Sequence, residues 1–196
     1  MYSKDQNGGA EVSGIALQQN LGVSISRGRQ IEHKLFGQKK NKFDVQHIRE
    51  GRLIGLYEAY NDITNEGKNT ILDVMFNNGT QIANNSWFIG LISLVSFTAL
   101  AAADTMSSHS GWTEFTGYSQ ANRVAWGSLA AAGQSTTNTT PATFDITASG
   151  TVKGIFTTSN STKGGTTGKL WATALFAADV PVSNGDQLKI TYTVSA

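Results

Sequence analysis

The segment Lys163–Leu170 comes closest to a catalytic motif, because it reads Lys-Gly-Gly-Thr-Thr-Gly-Lys-Leu. A phosphate-binding P-loop needs a glycine at its first position, a serine or threonine directly after its lysine, and a helix that follows. Here Lys163 stands at the first position, Leu170 follows the second lysine, and the next residues favour a strand. The pattern therefore predicts a glycine-rich turn between two strands.

Histidines and carboxylates are the other residues that could do chemistry. His33, His47 and His109 are far apart, and none has the spacing of a zinc protease. Structural or solvent-exposed roles are predicted for all three. Asp104 and Glu114 flank His109 and form the best carboxylate pair for glycoside hydrolysis. Nothing local would raise the pKa of either carboxyl group, so the sequence favours turn and capping roles for both.

Cysteine is absent from the 196 residues, which removes disulfides, thiol nucleophiles and cysteine–zinc sites together. The Gly-x-Ser-x-Gly turn that presents a nucleophilic serine is also absent. We therefore expect a protein that is not an enzyme, with no catalytic residue, no metal site and no cofactor.

The four tryptophans, Trp87, Trp112, Trp126 and Trp171, each lie in a predicted strand. Large aromatic side chains in strands favour core positions. An exposed aromatic platform that binds sugars is the alternative interpretation.

The elements that must position these residues are mainly short strands. Arg49–Arg52 predicts a hairpin turn after the first strand, and Asn184-Gly185 is a strong hairpin signal before the last. Strands are predicted over Trp87–Ile92, Trp112–Tyr118, Arg123–Gly127, Ala142–Thr147, Thr151–Thr158, Leu170–Phe176 and Leu188–Val194. Such a succession predicts an all-β body over residues 43–196, an antiparallel β-sandwich or jelly roll.

One short helix is predicted near residues 65–77. Thr64 or Asn65 can cap its start, and Asn77-Asn78-Gly79 can end it. Its apolar side would carry Ile71, Leu72, Met75 and Phe76.

The net charge of +1 hides a split, because residues 1–55 carry +4 and the remaining residues −3. Residues 1–42 are rich in polar residues and cannot bury enough apolar surface to fold alone, so we predict an extended basic arm. A solvated tail, a nucleic-acid-binding segment and an arm that docks on an acidic protein surface are the three interpretations, and we favour docking. The predicted docking residues are Leu21, Val23, Ile25, Arg27, Arg29, Lys34, Leu35, Phe36, Lys39, Lys40 and Lys42.

Targeting signals are not evident in the sequence. The first residues lack the basic and apolar regions of a secretory signal, and Trp87–Ala103 is too short and too polar to span a bilayer. We expect neither secretion nor a membrane partner.

Several blocks of sequence, in a fixed order, resemble a widespread family of tailed-bacteriophage structural proteins. The blocks are Ile63–Val74, Trp87–Ile92, Phe97–Met106, Gly111–Phe115 and Ser159–Trp171. The resemblance covers about residues 43–196 and leaves the arm outside it. It implies a virion component, and it brings no catalytic residue with it.

A small, cysteine-free β body with a basic arm suits a capsid decoration, or cement, protein. Such a protein would bind the major capsid protein and neighbouring copies of itself, as a homodimer or trimer, after assembly in the cytoplasm of a host bacterium. Two rivals remain open. One is a head-fibre or tail-tip module that recognises host glycans through loops at 107–111 and 159–168. The other is a neck or tail component that contacts DNA through residues 27–42, although we do not favour a nucleic-acid partner.

Overall fold

The structure is a computed structural model, and it describes residues 41–195. The described chain contains one helix longer than a single turn, α1 (Asn65–Phe76). The first strands are β1 (Lys42–Arg49), β2 (Arg52–Ile63), β3 (Phe88–Ser93), β4 (Glu114–Phe115) and β5 (Val124–Ala125). The remaining strands are β6 (Ser135–Thr137), β7 (Ala142–Asp145), β8 (Gly150–Thr158), β9 (Leu170–Val182) and β10 (Gln187–Ser195).

The ten strands form one antiparallel sheet in the order β4-β3-β8-β9-β2-β1-β10-β6. In addition, β5 pairs with β3 and β7 pairs with β10. The sheet curls, so that Phe43 of β1 and Ile89 of β3 belong to one core. The predicted all-β body with one short helix is therefore confirmed.

Aromatic side chains fill much of the core. Phe43 stacks on Tyr192 with ring centroids 4.0 Å apart, and the Trp126 ring packs on the same tyrosine at 5.0 Å. Burial of such side chains contributes about 1.5–3 kcal/mol each. Trp112 lies in a second, smaller cluster with Phe156. The predicted core position is confirmed for Trp112 and Trp126 and is only half met by Trp87 and Trp171, which are half-buried.

The hairpin between β1 and β2 forms at the predicted turn. Glu50 and Gly51 both have positive φ, 51° and 74°, as a two-residue turn between antiparallel strands requires. Further along, Gly55 lies opposite His47 and Leu53 opposite Ile48, which leaves Ile54 as the extra residue of a β-bulge. The bulge shifts by one residue the alternation of side chains between the two faces of β2 close to the turn.

The hairpin predicted at Asn184-Gly185 is wrong. β9 pairs with β8 and β2, whereas β10 pairs with β1, β6 and β7. The tight turn itself is present, because Gly185 has a φ of 91° and the Asp186 amide donates to the Ser183 carbonyl oxygen at 3.0 Å. A turn dipeptide dictates the local backbone and not the partner of the next strand, so here it carries the chain between two strands that do not pair.

The predicted helix is confirmed, with Thr64 as its cap. The Thr64 hydroxyl accepts from the Gly67 amide at 3.0 Å and donates to the Leu170 carbonyl oxygen of β9. A side chain at Gly67 would place its Cβ 2.4 Å from the Trp171 carbonyl oxygen, so only glycine lets the helix start lie this close to β9. The helix ends at Asn77, and Asn78 turns the chain with a φ of 55°.

Strand lengths differ from the sequence-based prediction in a consistent way. The strands predicted over Trp112–Tyr118 and Arg123–Gly127 shrink to β4 and β5, since the polar residues around them form turns. β9 extends well beyond the predicted Phe176, to Val182. The three-residue β6 was not predicted, because its sequence has no alternation of apolar and polar residues.

Candidate interaction surface

The first buried charged cluster lies where β1 meets the turn before β10. The Asp186 side chain is 1% exposed; its Oδ2 lies 2.8 Å from His47 Nε2 and accepts from the Ser183 amide at 2.8 Å. Arg49 donates from Nε to Oδ1 at 2.7 Å and from Nη2 to Oδ2 at 2.8 Å. The hydrogen bonds from Arg49 hold the pKa of Asp186 well below its usual range, against the opposing effect of burial. All of these partners are structural residues, so the cluster ties the end of β1, beside the hairpin turn, to the turn before β10.

The second buried cluster is the ion pair between Glu114 and Arg123. Arg123 Nη2 lies 2.8 Å from Glu114 Oε2, and the two side chains are 1% and 6% exposed. Arg123 also donates to the carbonyl oxygens of Asn160 and Gly165, at 3.0 and 2.7 Å. Burial and the nearby Glu114 carboxylate raise the pKa of Tyr118, which donates to that carboxylate. The pair therefore anchors the loop between β8 and β9.

The lysine- and glycine-rich segment that resembles a P-loop lies in this β8–β9 loop, as predicted. Gly164 and Gly168 take positive φ values of 74° and 93°. Lys163 Nζ donates to the carbonyl oxygens of Tyr118 and Gln120 at 2.8 and 2.7 Å. The lysine thus closes the loop against the body.

The carboxylate pair considered for glycoside hydrolysis is divided between two structural sites. Asp104 Oδ2 accepts from the Ala101 amide at 2.9 Å and from Trp112 Nε1 at 3.0 Å, which is the predicted turn role. Glu114 instead occupies the ion pair with Arg123, a role that the capping prediction missed. His109 stacks on Trp112 with ring centroids 4.0 Å apart. Within residues 41–195 no group of three histidine, aspartate or glutamate side chains could hold a metal ion, and no helix is long and apolar enough to cross a membrane.

Apolar side chains exposed on β2 form the first surface feature, the hairpin patch, made of Leu53, Ile54 and Leu56. Leu56 is 70% exposed, and the other two are about half exposed. Leu56 lies opposite Gln46 and Leu53 opposite Ile48, so the bulge at Ile54 places both leucines on one face of the hairpin. Contiguous exposed apolar side chains of this kind mark interaction sites.

The apolar side of α1 forms the second surface feature. Ile71, Leu72, Met75 and Phe76 are all exposed, and Phe76 reaches 80%. The sequence places these residues on one side of the helix, which in a lone domain would pack against the core. In this structure the helix touches the sheet mainly through its first turn, at Gly67.

A cavity of about 320 Å³ opens beside α1, and we refer to it as the tryptophan cavity. Ile71, Val74 and Met75 line it from the helix. The indole rings that line it belong to Trp87, Trp126 and Trp171. The walls are almost entirely apolar, and the NH groups of Trp126 and Trp171 are bonded inward, to the carbonyl oxygen and the hydroxyl of Tyr192. A sugar needs several polar partners, so the cavity suits an apolar group far better than a glycan.

The predicted docking arm lies outside the described residues, apart from Lys42. Lys42 is the first residue of β1, and its ammonium group lies 2.9 Å from both Asp44 and Glu58. Hydrogen bonds to these two carboxylates, first Asp44 and then Glu58, raise the pKa of Lys42. Asn41 also belongs to the body, because its carbonyl oxygen accepts from the Asn61 amide and its side chain from the Ser195 amide.

No protein-family model and no curated protein matches this chain.

Sequence reasoning missed both surface features as sites. The signal was present in the run Leu53-Ile54-Gly55-Leu56, because a strand with one buried face alternates apolar and polar residues and this run does not. The apolar helix side was predicted, but not that it would be exposed. A sequence pattern shows which side of a helix is apolar and not whether the same chain covers it.

Proposed function

We propose that this chain is a capsid decoration protein, a non-enzymatic virion component of a tailed bacteriophage that binds the capsid shell and stabilises it. The observation that carries the proposal is the contact among sequence blocks that resemble this family. The Asn65 amide donates to the Ala102 carbonyl oxygen at 2.8 Å, and the Thr64 amide to that of Trp171 at 3.0 Å. Blocks far apart in the sequence thus meet at one place, as expected where a family resemblance reflects a shared structural unit.

The same junction is reinforced by side chains from these blocks. Glu66 Oε2 accepts from the Leu170 amide at 2.8 Å, and Lys169 Nζ lies 3.3 Å from Glu66 Oε1. The resemblance therefore rests on residues that build the support of α1, and α1 carries an exposed apolar side. Sequence blocks that hold α1 in place, with its apolar side exposed, are consistent with a family of proteins that function by assembly.

The exposed apolar surfaces support a function that depends on binding to other protein chains. A protein that binds only the assembled shell stabilises that state, and the stabilisation grows with the logarithm of its concentration divided by its Kd. The hairpin patch and α1 provide apolar contacts, and the basic arm can steer the chain to an acidic capsid surface. The partners in this proposal are the major capsid protein and neighbouring copies of the chain.

Cosedimentation with capsids that lack the protein tests the proposal. The structure fixes the truncation at residue 40, because Asn41 and Lys42 are bonded within the body. We expect the full chain to saturate the capsids, and residues 41–196 to stay folded by circular dichroism but bind far less. A full chain that does not bind would overturn the proposed function. Undiminished binding of the truncated chain would overturn the role of the arm.

A full-length variant separates charge from the rest of the arm. In this variant glutamine replaces the five basic docking residues that precede Asn41, namely Arg27, Arg29, Lys34, Lys39 and Lys40. We expect weaker binding and a reduced dependence on salt, because fewer charge contacts remain to be screened. An unchanged salt dependence would contradict charge steering.

A further inference from the structure

We propose that the chain assembles with itself head to tail, with the hairpin patch of one copy inserted into the tryptophan cavity of the next. The first argument is chemical match. The hairpin patch presents three aliphatic side chains, and the cavity presents an apolar wall of three indole rings and α1 residues. An aliphatic anchor that fills an apolar pocket is the usual centre of a stable interface.

The second argument is separation along the sheet. Ile48, next to the hairpin turn, lies opposite Gln187 at the start of β10, whereas Val194 near the end of β10 lines the cavity. Seven residues at about 3.4 Å each place the two features about 24 Å apart. Because β1 and β10 are paired along this length, the hairpin cannot fold back onto its own cavity. The hairpin patch can therefore reach this cavity only from another copy of the chain.

The third argument is charge. No basic residue lies in the last turn of α1, so the partial negative charge of the helix end, beside Met75 of the cavity wall, is not offset there. The hairpin patch follows directly on Arg52, which is exposed. Insertion would bring the Arg52 guanidinium towards the end of α1. A second copy of the chain thus matches the cavity in both polarity and charge.

The geometry has a consequence for the symmetry of the assembly. The two surfaces are different parts of the chain, so the contact is heterologous, and such contacts close into rings or continue as filaments. Two copies related by a two-fold axis can also use both surfaces at once, because each hairpin patch then fills the cavity of the partner. We therefore expect a closed assembly, either a reciprocal dimer or a ring of three or more copies.

The experiment uses the purified full chain without capsids, so that its outcome is independent of the proposed capsid role. Light scattering coupled to size-exclusion chromatography gives the mass of the wild type over a range of concentrations. We expect a mass of two chains for a reciprocal dimer, or of three or more chains for a ring, at high concentration. A chain that stays monomeric at every concentration overturns the proposal.

Two variants then separate the surfaces. Leu53→Lys adds a charge to the hairpin patch, and Met75→Lys adds one to the cavity wall, where lysine is compatible with a helix end. Both positions are more than half exposed, so circular dichroism should show an unchanged fold. Val95→Lys, at a position 72% exposed in the turn after β3, is the matched control.

The mixing experiment is decisive. Each lysine variant alone should be monomeric, with self-association weakened at least about tenfold, while Val95→Lys assembles like the wild type. An equimolar mixture of the two lysine variants should form a dimer, because one intact hairpin patch and one intact cavity remain. A mixture that stays monomeric, or a Met75→Lys chain that still self-associates, overturns the head-to-tail contact.

Discussion

Substitution of Asp186 by asparagine tests whether its buried cluster stabilises the fold by joining the end of β1 to the turn before β10. The carboxylate is 1% exposed and accepts from Arg49, His47 and the Ser183 amide, all within 2.8 Å. The Asp186→Asn change keeps the shape but removes the charge that these donors face. Breaking a buried pair costs about 3–5 kcal/mol, and we expect the lower end, about 3 kcal/mol, because the Arg49 side chain is 45% exposed.

The assay is urea unfolding followed by tryptophan fluorescence, with calorimetry as a second measurement. For a chain of this size each kcal/mol shifts the melting temperature by about 2–4 °C, so the variant should melt about 6–12 °C lower. Asp179→Asn is the matched control, since its ion pair with Lys153 is partly exposed and should contribute about 0.2–1 kcal/mol. A loss for Asp186→Asn no larger than that of the control would refute the assigned role.

Three further predictions follow from the same contacts. The pKa of Asp186 is lower in the folded state than in the unfolded state, so its ionisation stabilises the fold. This stabilisation is complete above the ordinary carboxyl pKa of about 4 and is lost as the pH falls below it. Acid should therefore reduce the free energy of unfolding of the wild type more steeply than that of Asp186→Asn. Gly67→Ala, which in an exposed helix would stabilise by about 1 kcal/mol, should instead destabilise by about 1–3 kcal/mol because its Cβ meets the Trp171 carbonyl oxygen; a stabilised variant in urea unfolding would contradict this packing. Glu114→Gln should cost about 3–5 kcal/mol in the same assay, because it leaves the buried Arg123 guanidinium unpaired, and it should expose the β8–β9 loop to limited proteolysis; an unchanged cleavage rate would count against the anchoring role.

Local signals in the sequence predicted local structure well. The Arg49–Arg52 turn, the Thr64 cap and the glycine-rich turn at 163–168 all form as expected, because each depends on the backbone preferences of a few adjacent residues. The strand predicted over Leu188–Val194 likewise forms, as part of β10, with Leu188, Ile190 and Tyr192 buried.

Partners across the sheet could not be predicted in the same way. Asn184-Gly185 looks like a hairpin because the dipeptide fits the turn, yet the strand order depends on how the whole sheet curls. The ion pair between Glu114 and Arg123 joins segments that meet only in the folded chain, so the sequence predicted a turn or capping role for Glu114 instead. Exposure also depends on tertiary structure, so the sequence predicted that Met75 and Phe76 share the apolar side of the helix but not that this side is exposed.

The central claim, that this chain decorates a capsid, is tested most directly by its copy number in virions that contain it. Quantitative mass spectrometry of purified particles gives the ratio of this chain to the major capsid protein. A decoration protein covers the shell, so the account predicts a copy number comparable with that of the capsid protein. A ratio equivalent to only a few copies or a few tens of copies per particle, as in a tail or neck component, would contradict it.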